Sequence, residues 1–376
     1  MMPSAIVLKE VADKKALRQY IYLTQNLYRS FANWVPPLYA EERKFHQPTH
    51  NPALAYSDTI RVLAYMGERP VGRIMGIINR KYNERRQEKT GRFFNFDCIE
   101  NQAVAHVLVA FVEKWAAEKG MDRLIGPFGF SDKDPQGLQI EGFDHLAVIA
   151  TPSHPPYLKT LVEGEGYVKE LDCVSFKLPL PHQFPVVYEK VIRRLTRNQK
   201  FQLQEFTSKR DVKKYIVPAL RLVNEAYAPL FGFVAMSETE MKRLAAQYMP
   251  ILDPAFMKSV TNKEGEMVGF VVALPDMSRG IQRAKGRLFP FGFLRLLAAA
   301  KKTKQLDVVL GAVKERYRGV GVDVLLGTAL IRTAIQRGFD FMDSHLVLET
   351  NTKMQAEYAS LGGEIYKRYR IFGKRL

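Results

Sequence analysis

The sequence predicts an α/β (α+β) protein of two tandem domains, each a mixed, largely antiparallel central sheet flanked by helices. Three observations carry this expectation. A chain of 376 residues is long enough for two ordinary cores. Residues 178–185, Leu-Pro-Leu-Pro-His-Gln-Phe-Pro, hold three prolines that neither continue a helix nor occupy central strands, which places a boundary near Pro181 and domains at 1–180 and 181–376. The order of elements read from hydrophobic periodicity is also similar on the two sides of that boundary, as an ancient duplication would leave it.

In the first half the pattern reads strand 5–11, helix 14–28, and a Met66-Gly67-Glu68-Arg69 hairpin between strands 61–65 and 71–78. Helix 104–118 and strand 123–125 follow. The second half reads strand 200–206, helix 211–227, and a helix entered at Ser237, where Glu240 completes a capping box. Strand 256–260 turns at Asn262-Lys263-Glu264-Gly265 into strand 267–274. Next come strand 306–313, a glycine-bearing loop, helix 322–336, strand 340–348, helix 353–361 and a closing strand 364–372.

The formal charge of +17 is unevenly placed: residues 1–180 hold 23 Lys and Arg against 21 Asp and Glu, whereas 181–376 hold 33 against 18. The second half therefore calls for an anionic partner. No basic-then-apolar leader and no apolar run long enough to span a bilayer occurs, so a cytoplasmic location is expected. Cys98 and Cys173 lack CxxC spacing and clustered His partners, which argues against a disulfide framework and predicts no metal site.

The strongest local signal is Val313-Lys-Glu-Arg316-Tyr-Arg318-Gly319-Val320-Gly321-Val322-Asp323, between a predicted strand and a predicted helix. Glycines let the chain turn tightly and present successive N–H groups to an anion, and the helix start adds partial positive charge. Arg316 and Arg318 add forked, charge-assisted donors. Such a loop suits a pyrophosphate. A plain strand-to-helix turn is the other reading of these residues alone.

Arg316-x-x-Gly319-x-Gly321 resembles the Arg/Gln-x-x-Gly-x-Gly/Ala loop with which GNAT acyltransferases hold the CoA pyrophosphate. Met267-Val-Gly-Phe270 looks like that family's central strand, and the element order from about residue 200 onward matches its fold. Glu349-Thr-Asn351-Thr-Lys-Met354, followed by Tyr358 and Leu361-Gly362, is similar to the family's later helix, whose tyrosine often protonates the departing CoA thiolate. The resemblance implies acetyl-CoA or a longer acyl-CoA as substrate and an amine as acceptor. Val313, Arg316, Arg318, Gly319, Val320, Gly321, Val322 and Asn351 would hold CoA, with Asn351 equally readable as a helix N-cap. Tyr358 would act as acid and backbone amides within 310–313 as oxyanion donors. For the base the candidates are Asp307, His345 and Glu349, because a continuous strand 340–348 would place Asp343, His345 and Glu349 on one face beside Asp307. Glu349 is the first choice.

The first half has no glycine between Gly91 and Gly120, so the resemblance implies a degenerate repeat without a CoA loop there. Its turn-rich segment 126–137 either shapes an acceptor pocket or closes the sheet, and Asp132 and Asp134 within it read as turn residues. Residues 278–304 form an insertion with eight Lys and Arg and no acid, interleaved with Phe289, Phe291, Phe293 and several leucines. That pattern fits an anionic membrane surface, hence a peripheral location, and fits equally a helix packed on its own domain. The tandem layout resembles bacterial tandem-GNAT proteins, including those that N-acylate sphingoid bases. The expected function is therefore N-acyl transfer to an amine, with a lipid amine among the acceptors. The alternatives are a tRNA-dependent aminoacyl-transferase, which also pairs two such units, and a nucleic-acid or lipid binding protein. No helix-turn-helix, zinc-finger or RNP-like signature accompanies the charge, which disfavours nucleic acid.

Overall fold

The computed structural model describes residues 5–149, 151–181, 183–184, 186–197 and 200–376, so His182 and Pro185 of the proline-rich stretch lie outside the described residues. The first half runs β1 (Ile6–Glu10), α1 (Lys14–Tyr28), α2 (Tyr39–Phe45), β2 (Ser57–Met66), β3 (Arg69–Asn79), α3 (Arg80–Arg86), β4 (Thr90–Cys98), α4 (Gln102–Glu118), β5 (Arg123–Gly126), β6 (Leu138–Glu141), α5 (Tyr157–Gly164) and β7 (Val168–Pro179). The second runs α6 (Val186–Arg197), β8 (Phe201–Glu205), α7 (Lys209–Ala226), α8 (Glu238–Tyr248), β9 (Met257–Asn262), β10 (Met267–Pro275), α9 (Ser278–Arg283), α10 (Gly292–Lys302), β11 (Gln305–Val313), α11 (Val322–Gln336), β12 (Phe341–Asp343), β13 (Val347–Leu348), α12 (Thr352–Ser360) and β14 (Glu364–Arg375).

Local chemistry sets most boundaries. Asp13 caps α1 by accepting from the Ala16 N–H at 2.7 Å, and Ser237 and Glu240 form the reciprocal box at the start of α8. Gly67 and Gly265, both at positive φ, turn the two antiparallel hairpins β2–β3 and β9–β10. Cys98 and Cys173 are buried thiols. Among the described residues no helix is long and apolar enough to cross a membrane, and no His, Cys, Asp and Glu group is placed to hold a metal.

The element series β1, α1, α2, β2, β3, β4, α4, β5 recurs as β8, α7, α8, β9, β10, β11, α11, β12. In each series a hairpin is followed by a strand pairing parallel with the strand after the main helix, β4 with β5 and β11 with β12. α9 and α10 occupy the place of the short α3.

The fourteen strands among the described residues form one sheet, ordered β1-β2-β3-β4-β5-β14-β7-β12-β11-β10-β9-β8, with β6 on β14 and β13 on β7. Here the expectation of a self-closing second half needs correcting. β14 pairs with β5, β6 and β7, all from the first half. β7 pairs with β12, β13 and β14, all from the second. The last long strand of each half thus completes the sheet of the other. Val174, Phe176 and Leu178 of β7 pack with Leu306, Leu330 and Met342, whereas Phe372 of β14 joins Val62, Val112 and Leu124.

A second correction concerns 340–348. The strand breaks after Asp343, and His345 takes φ 57, which reverses the face on which later side chains emerge. Asp343, His345 and Glu349 therefore do not share one strand face.

Candidate functional site

β11 pairs with β12 only through Gln305–Asp307 against residues 341–343, while it stays paired with β10 as far as Val313. Beyond Asp307 and Asp343 the two parallel strands diverge, and residues 308–313 show a free edge to the gap. The Gly311 carbonyl accepts from the Tyr227 hydroxyl at 2.7 Å, and the Val313 carbonyl from Arg318 Nε at 3.2 Å. The Lys314 N–H instead turns back to Val268 O on β10 at 2.9 Å. Strand alternation then points the N–H groups of Gly311 and Val313 into the gap and those of 310 and 312 toward β10.

At the end of β11 the chain makes a short turn at residues 315–317 and reaches α11 through Arg318, Gly319, Val320 and Gly321. Gly319 and Gly321 have φ 73 and 104. Among the described residues the N–H groups of Gly319, Val320, Gly321 and Val322 meet no acceptor, and they lie at the positive end of a 15-residue helix. This donor set fits a pyrophosphate. Around Gly319 there is open space, whereas a Cβ on Gly321 would stand 2.4 Å from Val191 and 3.1 Å from Leu195 of α6. Gly321 is required both by its backbone and by that helix, which lies across the loop.

The two arginines differ. Arg318 spans the carbonyls of Val313 and Ala226, tying the loop to the end of α7. Arg316 is exposed, paired with Glu266 at 2.5 Å and set over the Tyr317 ring. Lys314 shares Glu266, and that bond holds the Glu266 carboxyl below its ordinary range.

α12 borders the gap. Tyr358 packs against the Phe176 ring, and burial, with Glu357, Tyr227 and Asp343 adding to it, pushes its phenol well above the ordinary tyrosine range. Asn351 serves as the cap, its Oδ1 accepting from the Met354 N–H at 3.3 Å. Two residues had no signal in the sequence. Tyr227 sits at the end of α7, in no motif, with a hydroxyl that burial pushes up to about 12. Glu357 faces Asp323 at the start of α11, and burial together with that charge pushes its carboxyl up to about 7.

The apex of the gap is a buried cluster. Asp307 and Asp343 are register partners and fully buried. Asp343 is held by Lys367 Nζ at 3.3 Å, the Tyr366 hydroxyl and the His345 N–H. Asp307 accepts from Gln305 at 2.7 Å on one oxygen, while the other has no partner among the described residues. Burial and the neighbouring Asp276 and Asp343 push the Asp307 carboxyl well above the ordinary carboxylate range. The Glu349 carboxylate is committed to Lys169 at 2.5 Å and to the Asp172 N–H at 2.9 Å. His345 contacts Ile149 O at 3.2 Å, and burial lowers its pKa, so it is neutral and holds the first half against the apex. On the sheet face away from α11 lies a cavity of about 600 Å³, walled by α9 and α10 and reached by Asp276, Gln305, Phe341 and Tyr366.

In the first half the equivalent gap between β4 and β5 is filled by the chain itself. The Phe128 N–H bonds Phe93 O at 2.9 Å, and Arg92 donates to the carbonyls of Gly129 and Phe130 at 2.8 Å. Segment 126–137 thus closes the sheet, with Asp134 accepting from the Ser131 N–H as a turn residue. Ile99 N–H bonds Val71 O as Lys314 bonds Val268, but only Glu100 and Asn101 then intervene before α4, which Asn101 caps.

No family model matches this sequence. The chain is 29% identical over 379 residues to Protein YghO of Escherichia coli (strain K12), covering 97% of this chain and 94% of that protein. It is 28% identical over 380 residues to Bacterial ceramide synthase of Caulobacter vibrioides (strain NA1000 / CB15N), covering 99% and 97%. Among solved structures, a tandem GNAT protein from the clavulanic acid biosynthesis pathway, without AcCoA, matches with a TM-score of 0.55 at 13% identity, over 99% of this chain and 98% of that one. A duplicated element series, a parallel strand pair that splays in each half and a whole-length structural match converge on one architecture: this chain has the tandem GNAT fold.

Proposed function

We propose that the protein is an acyl-CoA-dependent N-acyltransferase with a single CoA site, at residues 313–322, and that its acceptor is a long-chain lipid amine of the sphingoid-base type. The observation that carries this is the junction of an anion-binding loop with a free strand edge in one gap. The loop suits the pyrophosphate, and the edge presents the N–H groups of Gly311 and Val313 to a thioester carbonyl. The fold and the activity named for the Caulobacter relative support the same reading. In the reaction the acceptor attacks as the free amine: its nitrogen bonds the acyl carbon, the carbon–sulfur bond breaks, the nitrogen loses a proton to solvent and the sulfur gains one. Tyr358, kept protonated by burial, supplies the proton to sulfur.

Calorimetry tests the CoA site. One CoA is expected per chain, since the chain itself fills the first gap. Gly319→Asp is expected to weaken binding at least about tenfold by placing a carboxylate among the phosphate donors. Its unfolding temperature should change little, because the space around Gly319 is open and Asp tolerates a left-handed backbone. Two equivalent sites, or full affinity in the variant, would remove the loop from CoA binding.

Tyr358→Phe is expected to keep CoA affinity within about twofold while turnover falls about 100-fold or more, the range for losing a general acid. An unchanged rate where chemistry limits turnover would exclude Tyr358 as the acid.

A further inference from the structure

We infer that the outer face of α9 and α10 is a docking surface for an anionic phospholipid membrane. Phe289 is 80% exposed and Phe291 68%, and Phe293, Leu294 and Leu297 are exposed beside them. Along α10, Phe293, Leu297 and Lys301 recur every four residues and so form one outward stripe, apolar first and cationic at its end. A surface that puts five large apolar side chains into water is a contact surface.

These side chains are not needed to hold the insertion in place. Its inner side is anchored separately: the Tyr39 N–H bonds Gly286 O at 3.0 Å, and Gln282 donates to the carbonyls of Ala32 and Trp34. Gly280 lets α10 approach closely, since a Cβ there would stand 2.7 Å from Arg295 O and from the Leu296 Cα. The platform is therefore fixed, and its aromatic rings point away from it.

Charge selects the partner. Residues 278–304 carry eight Lys and Arg and no acid; Arg279, Arg283, Lys302 and Lys304 border the cavity, and Lys285, Arg287, Arg295 and Lys301 lie outside it. Among the described residues only Lys304 of these has a carboxylate partner, Asp340 at 3.7 Å. CoA phosphates do not account for this charge, because β11 separates the insertion from the pyrophosphate loop by roughly 26 Å, at about 3.3 Å per residue. Cations around exposed aromatic and aliphatic side chains match the interface of an anionic bilayer, where rings enter the headgroup region and Lys and Arg meet phosphates. The inner side of the same helices walls the cavity described above, so an amphiphile drawn from that surface would meet the cavity directly.

The test is cosedimentation of the full chain with vesicles of phosphatidylcholine, alone or mixed with phosphatidylglycerol. Binding is expected to the mixed vesicles and to fall with salt. Lys301→Gln with Lys302→Gln should weaken it at least about tenfold, taking about fivefold for each charge near the surface, and leave the remainder less sensitive to salt. Changing Phe289, Phe291 and Phe293 together to Ser should weaken it at low salt as well, with an unchanged unfolding temperature showing that the fold is intact. Wild type that ignores both vesicles overturns the inference. So does a dimer in sedimentation that the Phe variant converts to monomer, since the face would then bind a second copy. Neither result bears on CoA binding, so the two readings fail separately.

Discussion

Residues 1–180 and 181–376, produced as separate chains, are expected to remain unfolded and to regain a cooperative unfolding transition only when produced together. Among the described residues β7 finds its partners solely in β12, β13 and β14, and β14 solely in β5, β6 and β7. Cutting at 180 leaves each strand on the wrong side of the cut. The loss is not one of hydrogen bonds alone. Val174, Phe176 and Leu178 of β7, at most 4% exposed, leave the core built by β11, α11 and β12. Three such side chains contribute about 5–9 kcal/mol by burial, at about 1.5–3 kcal/mol each. A typical domain is stable by only about 5–15 kcal/mol, so a half deprived of them is left near or below zero. Circular dichroism during thermal unfolding would decide it. A residue 181–376 chain with a sharp transition near that of the whole protein would show that the exchanged strands are dispensable.

The reason this exchange was hidden in the sequence is physical. A strand displays which of its faces is apolar, but the edge it pairs with is a backbone property shared by every strand. Residues 364–372 read correctly as a strand and wrongly as one that closes its own half. Elements whose determinants are local came through: α1 with its Asp13 cap, the Ser237 box, the hairpins turned by Gly67 and Gly265, and α11 with its bounds at Val322 and Gln336. The loop at 316–321 was visible for the same reason, since its glycines are needed by its own backbone. What failed at the site depended on distant residues. Glu349 looked available for catalysis until Lys169 and Asp172, far earlier in the chain, took its carboxylate. Tyr227 was passed over because its position, opposite Gly311, comes from how α7 packs on the sheet. The unbroken strand assumed at 340–348 came from periodicity that cannot register one residue, His345, in a left-handed conformation. α6 begins right after the prolines of 179–185, residues that mark the end of an element more clearly than the start of the next.

Lys367→Met is expected to lower stability by about 3–5 kcal/mol, the range for removing one partner of a buried ion pair. The Lys367 and Asp343 side chains are both 0% exposed, and the amine also donates to Leu146 O at 3.2 Å. Burial works against the ammonium, but the charge of Asp343 outweighs it and holds its pKa above the ordinary lysine range. Without it, Asp343 keeps the Tyr366 hydroxyl and the His345 N–H but has no counter-charge. Pairing the change with Asp343→Asn should recover part of the loss, because the buried anion goes as well. The surface pair Lys304–Asp340, 60% and 65% exposed, is the contrasting case, where Lys304→Met should cost no more than about 1 kcal/mol. The dependence on pH follows from the same cluster. Asp307 holds its proton to a higher pH in the folded chain than in the unfolded one. Its contribution is complete below about pH 3.9, the unfolded value, and is lost as pH rises through the folded value. Lys367, also raised, contributes fully below about pH 10.4 and loses that contribution as pH rises through its folded value. Both groups therefore make the protein weaker toward alkaline pH. Urea unfolding from about pH 4 upward should show that slope, flattened by Asp307→Asn. A Lys367→Met protein within about 1 kcal/mol of wild type at neutral pH would show that the Tyr366 hydroxyl and the His345 N–H hold Asp343 without the lysine.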